Sequence, residues 1–140
     1  MAKRKAVAAP QPVKEHDVKA EVAEWAKSST LVARLGRIQS GLIKAGRHWV
    51  HMAPKGTPDF LGFCTHGRVL AIECKRPKGG KETADQTAYL DDVRKFGGVA
   101  ITATCAVDCH VALSRACERH RMETPDIERP KTGWNGSDRS

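Results

Sequence analysis

Two short apolar runs, Asp59-Phe60-Leu61-Gly62-Phe63 and Val69-Leu70-Ala71-Ile72-Glu73-Cys74-Lys75, stand on either side of a turn marked by Gly67, and this pairing constrains the fold more than any other feature of the chain. Gly56 and Pro58 punctuate a turn just before the first run, so the two runs read as a β-hairpin. Side chains alternate along a strand. Val69, Ala71, Glu73 and Lys75 therefore share one face of the second run, and Leu70, Ile72 and Cys74 share the other. A carboxylate and an ammonium pointing the same way at the end of an apolar strand cost desolvation energy unless they are paired or used. Asp59, at the start of the neighbouring strand, is close enough in such a hairpin to join them.

The rest of the chain supplies elements to flank that hairpin. From Lys14 to about Lys27, Val18, Val22, Trp25 and Ala26 fall within one helical arc, and Glu15 projects onto it. Segments 31–38 and 48–53 have strand-like composition and are separated by Gly41 and Gly46. After the break at Gly79-Gly80, Thr83 and Gln86 match a capping box, and Tyr89, Leu90, Val93 and Phe96 form an apolar stripe that ends at Gly97-Gly98. Val99–Ala103 reads as a strand and Ala106–Glu118 as a helix. This order predicts an α/β domain, a mixed sheet flanked by helices, over residues 14–120. Residues 1–13 read as a flexible basic arm and 121–140 as a loose tail. There is no internal repeat and no Gly-rich phosphate-binding motif.

With 140 residues, of which 40% are hydrophobic, one modest core is the expectation. No stretch approaches the roughly 20 apolar residues of a membrane span, and the start lacks the apolar middle of a secretory signal, so a cytoplasmic protein without membrane contact is expected. The net charge of +8 implies an anionic partner. Lys3, Arg4, Lys5 and Lys14 place a surplus of four near the start, the last 20 residues are balanced, and the remaining +4 falls on the folding part. The five cysteines, Cys64, Cys74, Cys105, Cys109 and Cys117, have no disulfide or C-x-x-C spacing and are expected as reduced thiols. A zinc set of Cys105, Cys109, Cys117 and His120 is the minor alternative to small core residues.

Two carboxylates beside a lysine are what phosphodiester hydrolysis by a hard cation requires. Asp and Glu oxygens suit Mg²⁺, with Mn²⁺ as substitute, and such a cation acidifies a bound water and offsets the charge that builds on the phosphate. The ordered set Gly56-Thr57-Pro58-Asp59, Glu73-Cys74-Lys75 and Gln86, with the run Leu70 to Gly79 and the Gly-Gly before the last core strand, resembles the PD-(D/E)xK nuclease superfamily. Within it the likeness is to the VRR-NUC family, the virus-type replication and repair nucleases, and it runs from about Glu15 to Ala103. That resemblance implies a restriction-endonuclease-like core. It implies Asp59 and Glu73 as metal-binding carboxylates, the backbone carbonyl of Cys74 as a further ligand, Lys75 as the catalytic lysine, and Glu15 as the acidic residue on the first helix. Glu21 is the fallback for Glu15, and Glu24 points away. Gln86 matches the glutamine that arranges the lysine and the substrate phosphate.

Each residue also has a plainer reading. Asp59 caps a turn after Pro58, Glu73 and Lys75 form a surface pair on an edge strand, and Gln86 serves only the capping box. Lys55, Arg76, Lys78 and Lys81 are expected to hold a phosphate backbone, against the alternative of a solvated loop. His48 and His51, flanking Trp49, suit solvent-facing or core roles better than ligation of a hard cation. The expected activity is a metal-dependent DNA endonuclease that selects branched or junction DNA in replication, recombination or repair. The resemblance also implies a homodimer, whose two-fold axis suits symmetric cutting. The rivals are a restriction-type or nicking enzyme, a DNA-binding protein without chemistry, and a zinc-bound interaction module.

Overall fold

The computed structural model describes residues 8–123, so parts of the expected arm and tail, residues 1–7 and 124–140, lie outside the described residues. Among the described residues nine elements follow in order: α1 (Glu15–Ser28), β1 (Val32–Arg37), β2 (Leu42–Ala45), β3 (His48–His51), β4 (Phe60–Cys64), β5 (Val69–Cys74), α2 (Ala84–Lys95), β6 (Val99–Ala103) and α3 (Ala106–Glu123). Residues 8–14 precede α1 without regular structure, and the Lys14 amide at its start donates to Asp17 Oδ2 at 2.9 Å. Val18 and Val22 are fully buried on the inner face of α1.

β1, β4 and β5 run antiparallel in a four-stranded sheet ordered β1-β4-β5-β6, and β6 joins parallel to β5. The sheet is mixed and flanked by helices, as expected of an α/β chain. With a partner on each side, β5 is buried from Leu70 to Cys74. Leu70, Ile72 and Cys74 belong to one apolar cluster with Val18 and Val22 of α1 and Cys109, Leu113 and Ala116 of α3. Leu90 of α2 is buried separately, and α2 lies against β5 and β6.

Three expectations need correction. Segment 48–53 shortens to β3, and its antiparallel partner is β2, whose Leu-Ile-Lys-Ala composition carries no alternation to announce a strand. A two-residue turn at Gly46-Arg47 makes the pair, with Gly46 at φ 63° where a hairpin turn favours glycine. The last helix continues to Glu123, five residues past its expected end, since no proline or glycine interrupts it before Pro125. Phe96, expected on the apolar stripe of α2, is 81% exposed because it sits at the C-cap, where the backbone has left the helix.

All five cysteines are free thiols. Of the alternative zinc set, Cys109 and Cys117 are part of the apolar cluster, burial pushes the Cys109 thiol up to about 12, and the His120 ring lies 5.4 Å from that of His66. Among the described residues no helix is long and apolar enough to cross a membrane.

Gly56 places the turn before β4 against the start of α2. It has φ 84°, and a Cβ there would stand 2.4 Å from the Asp85 carbonyl oxygen. Gly67, in the β4–β5 turn, also has positive φ (78°) but opens onto empty space. Gly67→Ala should therefore cost only the left-handed strain, about 1–2 kcal/mol. Gly56→Ala should cost about 3 kcal/mol or more, because the Asp85 backbone has to move as well. Urea unfolding of both variants measures the difference, and equal losses would show that α2 yields without cost.

Candidate active site

The register of β4 on β5 pairs Phe60 with Ile72, so one step further along, Asp59 stands opposite Glu73. Two hydrogen bonds join the strands beyond the ladder. The Asp59 amide donates to Glu73 Oε2 at 3.3 Å, and the Cys74 amide donates to Asp59 Oδ2 at 2.9 Å. Each acid thus accepts from the backbone of the opposite strand. Pro58 is fully buried and Ile38 donates its amide to the Asp59 carbonyl at 2.8 Å, which fixes the backbone that carries the acid.

Glu73 and Lys75 share one face, as strand alternation predicts, and Lys75 Nζ donates to Glu73 Oε1 at 2.7 Å. Exposure is 9% for Asp59, 2% for Glu73 and 8% for Lys75, so three ionisable groups are buried together at the end of β5. Burial is the main reason the Glu73 carboxyl lies above the usual glutamate range; the nearby Asp59 charge adds to the rise and the Lys75 bond partly offsets it. The plainer reading of Glu73 and Lys75 as an exposed edge pair does not survive, since β5 is an interior strand.

The Gln86 side chain serves two purposes at once. Its Oε1 accepts from the Thr83 amide at 2.9 Å, closing the capping box, while its Nε2 donates to Glu73 Oε1 at 2.6 Å. Glu82, just before the cap, accepts from Thr102 of β6 and from Thr87 of α2, which holds this helix start over the sheet.

The structure separates the two candidate acids of α1. Glu15 faces the site through Lys19, whose Nζ lies 2.9 Å from Glu15 Oε1 and 3.1 Å from Asp59 Oδ1. Glu21 is engaged elsewhere, accepting from the Ala106 amide at the start of α3. Glu24 pairs with Lys27. Hydrogen bonding to Lys19 holds Glu15 below the usual glutamate range. Burial pulls Lys19 down, but its bonds to Glu15 and Asp59 outweigh it and leave the ammonium raised.

Lys19 is the site residue that sequence reasoning missed. It is one turn along from Glu15, and nothing in helical spacing distinguishes a base that reaches inward from one that solvates the surface. Cys74 donates its amide towards Asp59 while the next amide, of Lys75, donates to Ala103 of β6. Because successive peptide groups in a strand point to opposite sides, the Cys74 carbonyl is directed away from β6 and towards Asp59. The Cys74 thiol itself is buried in the core and raised by burial.

The donor set is hard: carboxylate oxygens of Asp59, Glu73 and Glu15 and one backbone carbonyl, which suits Mg²⁺ rather than a soft ion. An ammonium held between Glu15 and Asp59 shows that this spot accepts a cation. Among the described residues no three His, Cys, Asp or Glu side chains form a group that could hold a metal ion; Lys19 is bonded to Asp59 and Lys75 to Glu73.

The basic residues divide. A cleft of about 920 Å³ runs from Lys14 and Glu15 past Lys75 to Arg76, Lys78 and Lys81, five bases against one acid. Lys55 is instead tied to Asp85 at 3.1 Å, although its side chain is largely exposed. His48 and His51 are exposed on β3.

The chain matches no protein-family model, no curated protein and no solved structure.

The double use of Gln86 is testable by stability alone. Gln86→Glu keeps an acceptor for the capping box but sets a second carboxylate against Glu73, whereas Gln86→Ala removes both bonds. Both variants should lose about 1–2 kcal/mol in thermal or urea unfolding. A Gln86→Glu protein as stable as wild type would mean that only the cap matters.

Proposed function

We propose that this chain is a Mg²⁺-dependent nuclease that hydrolyses DNA phosphodiester bonds, with Asp59, Glu73 and Lys75 at the centre of its active site. The observation that carries the reading is the burial of these three charged side chains at the end of β5, bonded to one another and to the backbone. Buried ionic groups are a poor way to gain stability, since apolar residues of the same size usually do as well or better. Such a cluster at the mouth of a basic cleft is better explained by use than by folding.

Asp59, Glu73 and the Cys74 carbonyl would hold the cation, with Glu15 as the acid from α1. The ion, when bound, supplies positive charge against the phosphate and acidifies a water. Lys75, fixed by Glu73, would orient the attacking water and meet the charge that develops on the phosphate. Gln86 keeps the Glu73 carboxylate from rotating, so the lysine stays aimed.

The antiparallel β1–β4–β5 unit with β6 parallel to β5 is compatible with a restriction-endonuclease-like core, and with the ordered motif it supports membership of the VRR-NUC family. DNA as partner draws support from charge. Arg76, Lys78 and Lys81 line the cleft, and positions 30–58 contain Arg34, Arg37, Lys44, Arg47 and Lys55 but no Asp or Glu. These contacts would grip phosphates without reading bases. Selection of branched or junction DNA, and a homodimer cutting it symmetrically, remain part of the proposal by resemblance.

A cleavage panel of duplex, flap, fork, four-way junction and single-stranded DNA, in Mg²⁺ or Mn²⁺, tests the function. Wild type should cut at least one substrate, and chelation should stop it. Asp59→Asn, Glu73→Gln and Lys75→Met should each slow cleavage roughly 100-fold or more while leaving DNA binding near wild type. Binding without cleavage of any substrate would leave a DNA-binding protein in place of an enzyme. Wild-type rates in one variant would remove that residue from its role.

A further inference from the structure

Lys19 has no part in the reaction proposed above, yet it holds two of the acids. With Glu15 alone it would be an ordinary surface pair one helical turn apart. Its second bond, 3.1 Å to the largely buried Asp59 on the turn before β4, is of another kind, and the Lys19 side chain is only 19% exposed. We propose that Lys19 is the resident counter-cation of the site: it fills the place between Glu15 and Asp59 in the metal-free protein, and the divalent ion binds by displacing it. This rests on the reading of Glu15 and Asp59 as metal-binding carboxylates.

Three considerations carry the inference. Carboxylates held close in a partly dehydrated place repel one another, and an ammonium between them offsets that repulsion. An ammonium and a divalent ion cannot share the same oxygens, because their own repulsion grows as solvent is excluded. The lysine also has somewhere to go. Its four-carbon stem is flexible, and a cleft of about 320 Å³ lies beside Asp59, bounded by Arg37, Gln39, Gly41, Leu42 and Met52.

Displacement has a two-sided consequence that a purely structural lysine lacks. Removing the charge should make the metal-free protein less stable and, at the same time, make it bind metal more tightly. A lysine that only braces the site would lose stability on removal and leave metal affinity unchanged or weakened.

The experiment titrates the full chain with Mn²⁺, following free Mn²⁺ by electron paramagnetic resonance, and records melting temperature with and without the ion. Lys19→Met and Lys19→Gln should bind Mn²⁺ roughly tenfold or more tighter than wild type, with a lower metal-free Tm and a larger rise on Mn²⁺ addition. Lys19→Arg, which keeps the charge, should not gain affinity. Folded neutral variants with affinity equal to or weaker than wild type would overturn the displacement while leaving the metal reading intact. Absence of Mn²⁺ binding in wild type and variants alike would overturn both. A measurement on wild type alone guards against variants that fail to fold: the Lys19 side-chain ¹⁵Nζ resonance should shift on saturation with Mg²⁺, and an unmoved resonance would sink the proposal.

Discussion

Everything at the candidate site depends on the reciprocal bonds between Asp59 and the end of β5. The Asp59 amide donates to Glu73, and Asp59 in turn accepts from the Cys74 amide. The chain leaves the ladder at this point, where backbone groups would otherwise be unpaired, and the two acids satisfy them. The same bonds that finish the hairpin therefore aim both carboxylates. On its other side β5 is locked to β6, with the Lys75 amide donating to the Ala103 carbonyl, and the Lys75 side chain is held by its bond to Glu73. A site built this way is set by strand register, and a slip of one residue would put Glu73 on the face of Leu70 and Ile72.

Charge balance is the second constraint. Glu73 is met by Lys75 and Gln86, and Asp59 and Glu15 are met by Lys19. Removing Lys75 or Lys19 would leave a buried carboxylate without its cation, which is more costly than removing the pair. The site is therefore stable as found but held by cations of its own. The oxygens of these acids are of the type a hard cation takes.

The hairpin of β4 and β5, its alternating faces and the cap of α2 were legible because each follows from a local rule: period-two alternation, glycine at a turn, and a threonine three residues before a glutamine. β2 was not legible. Its strand character comes from pairing with β3 around Gly46, and pairing is a property of two segments rather than of one. Phe96 misled for a related reason, since an apolar residue in helical phase says nothing once the helix has ended at Lys95. Helical phase also could not choose firmly between Glu15 and Glu21. What separates them in the structure is α3, whose first amide takes Glu21, and that helix is distant in sequence. Lys19 escaped notice on the same ground, because its inward reach depends on where Asp59 lies.

The site is organised from the sheet outwards. The buried part, Asp59, Glu73 and Lys75, is fixed by backbone bonds and register. The outer part, Glu15 and Lys19 on α1 and Gln86 on α2, arrives on helices that pack by their own apolar faces, through Val18 and Val22 in one case and Leu90 in the other. Side chains on packed helices can change rotamer without disturbing the sheet, whereas the Asp59 and Glu73 carboxylates cannot move far without breaking bonds to the strands. Adjustment to a ligand should therefore fall on Glu15 and Lys19, while the strand acids, with Gln86 bonded to Glu73, supply the fixed frame against which that adjustment is made.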